Sequence, residues 1–294
     1  MSGTRYPVAV IGVGNMGGAM ARRLLSQQWP VHVFDLVDER ATALVAAGAQ
    51  AHASAADAAA SAHATIVCVV DAAQARDVLF GQGRVAATVP LGHTVLLCPT
   101  IAPADVEDIA HALRPQGVFC IDAPMSGGPA RALDGSMSLM LACDNLLFER
   151  HQSLIETLSS RVFRISERLG DGARTKLVNN LAAGINLAAA AEVLALAGCM
   201  GLDLGRTLEV IEQSSGQSWI GSDRMRRAIT GDYAPRAHMT LLAKDTQLAV
   251  QAAHDAGFAA PLGSVARDAF AAACAAGLAE LDDAALLKWR TQDR

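Results

Sequence analysis

In the first half of the chain, short apolar runs rich in β-branched residues alternate with Ala-rich stretches in which apolar positions recur at helical spacing. The runs have the length and composition of buried strands, and the stretches between them are long enough for helices. This alternation predicts an α/β domain with a parallel sheet that is covered by helices on both faces. The predicted strands span residues 8–13, 31–34, 66–70, 94–97 and 118–121.

The second half of the chain has a different pattern. From about residue 170 onward no convincing strand run occurs, and long Ala/Leu segments are separated by residues such as Gly201, Gly231, Pro235 and Pro261. Glycine and proline at these positions are typical of helix ends. We therefore predict an α/β domain over residues 1–165 and an all-α domain over residues 166–294, joined by a long helix over residues 172–200.

Residues 181–200 form an apolar stretch that is long enough to span a membrane. Asn186 and Glu192 interrupt this stretch, and Lys176 lies shortly before it. A charged side chain at the depth of the bilayer costs roughly 2.5–3.5 kcal/mol on insertion scales, so a transmembrane helix is disfavoured. We predict instead a helix that is buried between protein surfaces.

Composition and charge narrow the class of partner. The chain has 294 residues, of which 52% are apolar and 18% charged, and its formal net charge is −5. Without a broad positive field, neither nucleic acid nor an anionic membrane is expected as a partner, and a small molecule is favoured.

The first residues lack the features of a signal peptide, so a cytoplasmic location is expected. The cysteines are too scattered for a zinc site, which predicts reduced thiols and no metal: Cys68, Cys98, Cys120, Cys143, Cys199 and Cys274.

The strongest local motif follows the first predicted strand. It has the pattern GxGxxG, and its residues are Gly12, Val13, Gly14, Asn15, Met16 and Gly17. In dinucleotide-binding folds the first glycine permits a tight turn, the second lets the backbone approach a pyrophosphate, and the third lets the next helix pack closely on the strand. The amino end of that helix offers N–H groups and a positive dipole to the phosphates. A glycine-rich turn in a ligand-free α/β domain is the alternative.

An acidic residue, Asp35, follows the second predicted strand, 18 residues after Gly17. A carboxylate in this place can accept hydrogen bonds from the hydroxyls of the adenosine ribose, and it repels the 2′-phosphate of NADP. Because no basic residue follows before Arg40, NAD is the predicted cofactor. Asp35 could instead cap a helix, since Asp38 and Glu39 lie close by.

Other segments also follow predicted strands and should reach the carboxyl edge of the sheet, where folds of this class bind ligands. They contain Val70, Asp71 and Thr100, which we expect to contact the cofactor. Ordinary loop chemistry is the alternative for all three.

A second group of residues favours a small anionic ligand. Ser126, Gly127 and Gly128 follow a predicted strand and offer unhindered N–H groups and a hydroxyl, which suit a carboxylate. Lys176 and Asn180 are four residues apart, so on a helix they share one face. We expect Gly172, one turn earlier, to leave that face open, so that an amine and an amide converge on the ligand.

These segments together resemble the β-hydroxyacid dehydrogenase family, which includes 3-hydroxyisobutyrate dehydrogenase, tartronate semialdehyde reductase and L-threonate dehydrogenase. The resemblance covers essentially the whole chain. It rests on residues 12–17, the DAPMSGG segment over residues 122–128, the GxxxKxxxN pattern over residues 172–180, and Lys244 with Asp245. Residues 216–219 and 224–236 look most like the L-threonate dehydrogenase branch.

The resemblance implies an NAD-dependent oxidoreductase that transfers a hydride between a small hydroxy acid and the nicotinamide, with Lys176 as the catalytic residue. It also implies an N-terminal Rossmann domain, an all-helical C-terminal domain, and assembly into a homodimer or homotetramer. Lys244 matches a position that contacts both substrate and cofactor. The residues that match substrate-binding positions of the family are Ser126, Gly127, Gly128, Asn180 and Lys244.

A lysine that takes the hydroxyl proton during oxidation must be neutral for part of the time. The usual lysine pKa of about 10.4 would have to fall toward about 7–8, which burial and nearby positive charge such as Lys244 and oxidised nicotinamide favour. A structural ion pair is the alternative for both Lys176 and Lys244.

We expect a three- or four-carbon substrate with a further hydroxyl, such as L-threonate. Trp219 would form a wall of the pocket or, alternatively, anchor a core, and Arg131 replaces a glycine that is common in several relatives. 3-Hydroxyisobutyrate dehydrogenase and tartronate semialdehyde reductase are the near alternatives. An imine reductase, which generally lacks the lysine, and a non-catalytic nucleotide-binding module are remote alternatives.

Overall fold

The computed structural model describes residues 5–292. These residues form two compact units, of which unit 1 ends at Lys176 and unit 2 begins at Leu177. Unit 1 is an α/β structure and unit 2 is helical, which confirms the predicted fold class. The core of unit 1 extends along the chain as far as Ala173. The domain boundary at residue 165 stays a prediction.

Unit 1 is built on a nine-stranded sheet. Its strands are β1 (Val8–Ile11), β2 (Val31–Phe34), β3 (Gln50–Ala51), β4 (Ala64–Val67), β5 (Thr94–Leu97), β6 (Phe119–Asp122), β7 (Met125–Ser126), β8 (Ser138–Ala142) and β9 (Arg161–Ser166). The strand order is β3-β2-β1-β4-β5-β6-β8-β7, and β9 pairs with β8. The first six strands are parallel, as predicted, whereas β8 runs antiparallel to both β6 and β7.

Helices cover both faces of this sheet. They are α1 (Asn15–Ser26), α2 (Asp38–Val45), α3 (Ala55–Ala60), α4 (Ala72–Phe80), α5 (Val85–Thr88), α6 (Pro103–Leu113), α7 (Gly128–Asp134) and α8 (Asn145–Leu158). Side chains of a strand point alternately to its two faces. Val10 therefore lies in one core with Met20 and Leu24, whereas the next residue, Ile11, lies in the opposite core with Leu79.

The order of the strands determines where a ligand can bind. The chain runs outward from β1 through β2 to β3, and then returns to place β4 on the other side of β1. In open parallel sheets, ligands bind outside the carboxyl ends of the strands at such a point of reversal. The loops that follow β1, β4, β5 and β6 lie along this edge, because these strands are parallel neighbours.

One long helix, α9 (Asp171–Cys199), begins in unit 1 and continues into unit 2. Its first turn is held by Asp122, the buried last residue of β6, whose Oδ2 accepts the N–H groups of Gly170 and Ala173 at 3.0 Å each. N–H groups at the start of a helix have no partner within the helix, so this carboxylate caps α9. Burial raises the pKa of Asp122 to about 6.

Unit 2 packs around an apolar core that contains Leu187, Met225, Leu242 and Phe270. Besides its share of α9, its helices are α10 (Leu204–Glu212), α11 (Trp219–Ile229), α12 (Met239–Asp255), α13 (Pro261–Ala273) and α14 (Leu286–Gln292). A wide helical turn, Cys274–Leu278, and a 3₁₀ turn, Asp283–Ala285, connect α13 to α14.

The apolar side chains of α9 are only partly covered. Leu187 and Leu194 are fully buried, but Val193 and Leu196 are 44% and 56% exposed, and Met200, the first residue after the helix, is 66% exposed. Of the most apolar window of this helix, 39% is buried within the chain. By length and composition alone α9 could cross a membrane, but core helices of soluble proteins meet the same criteria. The predicted burial therefore holds along one side of the helix within a single chain.

Two buried histidines lie near the amino ends of the central strands. His151 is hydrogen bonded through Nδ1 to the Tyr6 hydroxyl at 2.6 Å and through Nε2 to the Thr94 hydroxyl at 2.8 Å. His93 is hydrogen bonded through Nε2 to the Thr65 hydroxyl at 2.9 Å. Burial lowers the pKa of each histidine to about 4.

These histidines should make unit 1 sensitive to acid. An unfolded histidine has a pKa of about 6.5, so below that pH the unfolded chain binds protons that the folded chain excludes. Each histidine should lower the free energy of unfolding by ~2 kcal/mol between about pH 7 and pH 5. In His151→Gln, which has no group to titrate, the loss of Tm over this range should be smaller than in the wild type.

The exposed His254 provides a matched control. Its replacement by Gln should leave the change in Tm with pH as it is in the wild type. Equal losses of Tm in the wild type and in His151→Gln would contradict the assignment.

Candidate functional site

The glycine-rich loop between β1 and α1 has two closely packed glycines and one open glycine. A Cβ on Gly12, whose φ is +85°, would lie 2.5 Å from the Cys68 carbonyl oxygen, and one on Gly17 would lie 1.9 Å from the Gly12 carbonyl oxygen. A Cβ on Gly14 would approach only Nη1 of Arg40, at 3.9 Å. Gly12 and Gly17 are thus required by packing, while Gly14 leaves room for the backbone to approach a ligand.

The amino end of α1 is suited to a phosphate. Its N-cap residue is Gly14, and the first turn contains no acidic side chain and no side-chain cap. Asn15 and Met16 begin the helix, which is twelve residues long. Free N–H groups and the positive end of the helix dipole attract anions in this position. The loop and helix therefore fit the pyrophosphate of a dinucleotide.

Asp35 directly follows β2 and is held in one orientation. Its Oδ2 accepts the N–H group of Val13 at 2.8 Å, and its Oδ1 accepts that of Val37 at 2.9 Å. Nη1 of Arg40 lies 3.5 Å from Oδ1. Asp35 does not cap α2, because the N-cap residue of that helix is Val37. Its carboxylate is instead hydrogen bonded to the glycine-rich loop.

Asp71 caps a helix through hydrogen bonds within the chain. Its Oδ1 accepts the N–H group of Gln74 at 2.8 Å, and the Gln74 side chain in turn accepts the N–H group of Val70 at 3.0 Å. These reciprocal hydrogen bonds cap α4, so they account for the aspartate without a ligand. Val70 is 49% exposed, and Thr100, in the loop after β5, is partly buried. Both reach the expected edge of the sheet.

The segment after β6 forms an open turn. Ser126 ends β7, and Gly127 and Gly128 have φ values of +125° and +77°, which favour glycine. A Cβ on Gly127 would lie 2.9 Å from Cδ of Arg131, whereas one on Gly128 would meet nothing within 4 Å. The stem of Arg131 therefore packs against Gly127. The backbone of Gly128 remains accessible to a small anion.

Lys176 and Asn180 lie four residues apart on α9 and are 7% and 8% exposed. Lys176 is the last residue of unit 1, and Asn180 belongs to unit 2. The expectation for Gly172 is wrong, since this glycine does not leave an open face. A Cβ there would lie 2.7 Å from the Met140 carbonyl oxygen and 2.9 Å from Oδ2 of Asp122. Gly172 lets the helix approach the sheet closely.

Asp245 connects two of the predicted site residues in unit 2. Its Oδ2 accepts the amide Nδ2 of Asn180 at 2.6 Å, and its Oδ1 lies 2.8 Å from Nζ of Lys244. The ion pair considered as the alternative for Lys244 is therefore present. A Cβ on Gly184 would lie 2.5 Å from Cγ2 of Thr246, so α9 and α12 cross closely beside this pair. The pair with Asp245 is the one that the sequence offered as the alternative for Lys244, whereas the hydrogen bond from Asn180 to Asp245 was not predicted.

Trp219 is the first residue of α11 and is 52% exposed. It does not anchor a core within this chain. Two arginines of the same helix form buried ion pairs. Arg224 pairs with Asp283 at 2.5 Å, and Arg227 pairs with Asp282 at 3.0 Å. A role of Trp219 as a wall of the pocket stays a prediction.

Each unit thus brings together part of the predicted site. In unit 1 the glycine-rich loop, Asp35 and the loops after β4, β5 and β6 follow neighbouring strands. In unit 2, Asp245 joins Asn180 to Lys244. Within residues 5–292, no group of three or more His, Cys, Asp or Glu side chains could hold a metal ion. The residues of unit 1 fit a dinucleotide, and those of unit 2 offer a fixed amide and an ammonium group.

Comparison with protein families identifies both halves of the chain. Residues 7–166 match the family described as the NAD binding domain of 6-phosphogluconate dehydrogenase. Residues 170–290 match the family described as the NAD-binding domain of NADP-dependent 3-hydroxyisobutyrate dehydrogenase. The L-threonate dehydrogenase of Haemophilus influenzae is 36% identical over 289 residues, which cover 98% of this chain and 96% of the relative.

Solved structures agree with these matches. The structure of 3-hydroxyisobutyrate dehydrogenase from Salmonella typhimurium has a TM-score of 0.91 and 36% identity, and the match covers 97% of this chain and 99% of that one. Psf3, solved in complex with NADP+ and 2-OPP, has a TM-score of 0.87 and 28% identity, with coverage of 96% and 99%. The chain therefore belongs to the β-hydroxyacid dehydrogenase family of nicotinamide-dependent oxidoreductases.

Proposed function

We propose that this protein is an NAD-dependent dehydrogenase of a three- or four-carbon hydroxy acid, with Lys176 as the general acid and base. The observation that carries the proposal is the buried position of Lys176, on a helix that begins against the residue leading into the Ser126–Gly128 turn. Lysine is among the residues that are least often fully buried. Its placement one turn before Asn180 favours a role in the reaction.

The cofactor would be held by unit 1. The N–H groups at the start of α1 would bind the pyrophosphate, and Gly14 leaves room for it. The Asp35 carboxylate, fixed by Val13 and Val37, would accept hydrogen bonds from the ribose hydroxyls. Val70 and Thr100 would line the same edge. When bound, the nicotinamide accepts or donates the hydride.

Polar groups of the protein would bind the carboxylate and a hydroxyl group of the substrate. The Ser126 hydroxyl and the N–H groups of Gly127 and Gly128 would bind its carboxylate. The amide of Asn180 would hold a hydroxyl group, because Asp245 already fixes the amide in one orientation. Lys244, which is paired with the same carboxylate, would add positive charge beside this amide.

Nζ of Lys176 would carry the proton. In oxidation it accepts the proton of the substrate hydroxyl, and in reduction it returns a proton to the carbonyl oxygen. To act as the base, Nζ would have to be neutral for part of the time.

We also propose a cytoplasmic homodimer or homotetramer. The exposed apolar side chains of Val193 and Leu196 on α9 and of Met200 just after it support assembly, because large apolar patches on single chains commonly mark interfaces. Sedimentation equilibrium measures the number of subunits directly.

Lys176→Ala should lose at least about a hundredfold in kcat, which is the usual lower range for a general acid or base. Binding of NAD, measured by calorimetry, should persist, because the cofactor contacts belong to other residues. Lys288→Ala, which removes a lysine from α14, is the matched control and should retain turnover. Near-native turnover in folded Lys176→Ala would exclude the lysine as the proton carrier.

Asp35→Ser should lower kcat/KM with NAD and raise it with NADP, because the hydroxyl neither repels a 2′-phosphate nor bonds both ribose oxygens. The serine also loses hydrogen bonds to Val13 and Val37, so Tm must be measured alongside. Ser54→Ala, which removes the cap of α3, provides a control for local loosening in unit 1. A wild-type enzyme that already prefers NADP would refute the assignment of Asp35.

Among hydroxy acids, L-threonate or glycerate should give a higher kcat/KM than 3-hydroxyisobutyrate. A site built to bond hydroxyl groups leaves polar groups unpaired when an apolar analogue binds, and this can cost orders of magnitude. Asn180 and Ser218 would supply such groups, and the named L-threonate dehydrogenase relative supports the choice. If 3-hydroxyisobutyrate is the best substrate in the panel, the polyhydroxy assignment fails, while that of Lys176 is unaffected.

A further inference from the structure

A cation lies beside the carboxylate that would bind the cofactor ribose. Arg40, in the first turn of α2, places Nη1 3.5 Å from Oδ1 of Asp35. The same atom lies 3.9 Å from the position that a Cβ would take on Gly14. In the proposed site, Asp35 would bind the ribose hydroxyls, and Gly14 would leave room for the pyrophosphate. The guanidinium group is therefore within reach of the ribose on the side of its hydroxyls.

We propose that Arg40 is a specificity residue that binds the 2′-phosphate of NADP, so that this NAD enzyme also uses NADP as a secondary cofactor. The inference rests on the proposed cofactor site and concerns a ligand class that Asp35 alone would exclude, the adenosine 2′-phosphate monoester. Arginine is always cationic in proteins, and its planar fork matches phosphate oxygens.

The geometry gives Arg40 the freedom to bind such a group. Its side chain is 55% exposed, so it can turn toward a phosphate without leaving a buried pocket. Asp35 is only 8% exposed, and its two oxygens already accept N–H groups from Val13 and Val37. These bonds hold the carboxylate in place and offset part of its negative charge. A phosphate could therefore contact Arg40 while Asp35 stays where it is.

Other charges in the same turn oppose the phosphate. Asp38 and Glu39 precede Arg40 in α2, and both are exposed. Charges in contact with water are screened by salt and interact weakly at a distance, whereas a direct guanidinium–phosphate contact is charge-assisted and bidentate. The balance leaves NAD as the preferred cofactor and keeps NADP from being rejected completely.

Two other roles for Arg40 make different predictions. If it only neutralises Asp35, its loss should weaken ligands with a 2′-phosphate through the repulsion of Asp35, and this effect should vanish when Asp35 is replaced by Ser. If it packs against the adenine ring, its loss should weaken all adenosine ligands equally. Only a contact with the 2′-phosphate makes the effect depend on that group even in the Asp35→Ser background.

The test uses ligands that lack the nicotinamide, so it does not depend on turnover. Calorimetry would measure Kd for adenosine 5′-monophosphate and for adenosine 2′,5′-bisphosphate with the wild type, Arg40→Ala, Arg40→Lys and Arg206→Ala. Arg206 is an exposed arginine on α10 of unit 2, so its replacement removes the same charge elsewhere. The quantity compared is the ratio of the two Kd values for each protein.

Arg40→Ala should shift this ratio against the bisphosphate by about tenfold. Arg40→Lys should shift it less, because lysine retains the charge and loses the fork. Arg206→Ala should stay within about twofold of the wild type. In the Asp35→Ser background the bisphosphate should bind more tightly, and Arg40→Ala should reverse that gain.

An unchanged ratio in Arg40→Ala would overturn the inference, as would equal weakening of both ligands. A ratio that Arg40→Ala shifts in the wild type and leaves unchanged in the Asp35→Ser background would also overturn it. A wild type and an Asp35→Ser variant that both fail to bind the bisphosphate would also overturn it. If NAD turnover and binding of the monophosphate are intact in those cases, the proposed function stands. Absence of both would refute the cofactor site itself, and the inference with it.

Discussion

The hydrogen bonds from the start of α9 to Asp122 are the constraint on which the proposed site depends. One carboxylate ends β6, begins the segment that leads to the Ser126–Gly128 turn, and caps the helix that carries Lys176. The carboxylate turn and the lysine are therefore positioned from the same residue. Gly172 completes the arrangement, because any larger side chain would push the helix away from the sheet.

Three buried aspartates hold parts of the proposed site in place through hydrogen bonds. Asp122 holds α9, Asp35 holds the glycine-rich loop, and Asp245 holds Asn180 beside Lys244. A buried carboxylate is costly unless its oxygens accept several hydrogen bonds. The first two are bonded to backbone N–H groups, so they fix the course of the main chain. The third is bonded to side chains, so it fixes the orientation of an amide and a charge.

The fold could be predicted best for strands whose apolar residues are also buried. The strands β1, β2, β5 and β6 are apolar runs buried on both faces, and these runs were predicted within a few residues. β7 has only two residues and β9 is largely exposed, so neither carries a strong apolar signal. Among site residues, the spacing of Lys176 and Asn180 gave their shared helix face. The contacts of Gly172 with Met140 and Asp122, and the hydrogen bond between Asn180 and Asp245, could not be predicted, because each joins residues that are distant in sequence.

The distribution of thiols has a practical consequence for labelling. All six cysteines lie within the described residues, and Cys98, Cys120 and Cys143 are buried. Burial raises the pKa of these three thiols and of Cys274. It raises the pKa of Cys68 to about 12. Thiolates react with maleimides, whereas buried neutral thiols are inert. Cys199, at the end of α9, is exposed. The natural chain thus offers one attachment point for a fluorophore or spin label, on the same helix as Lys176 but at its far end.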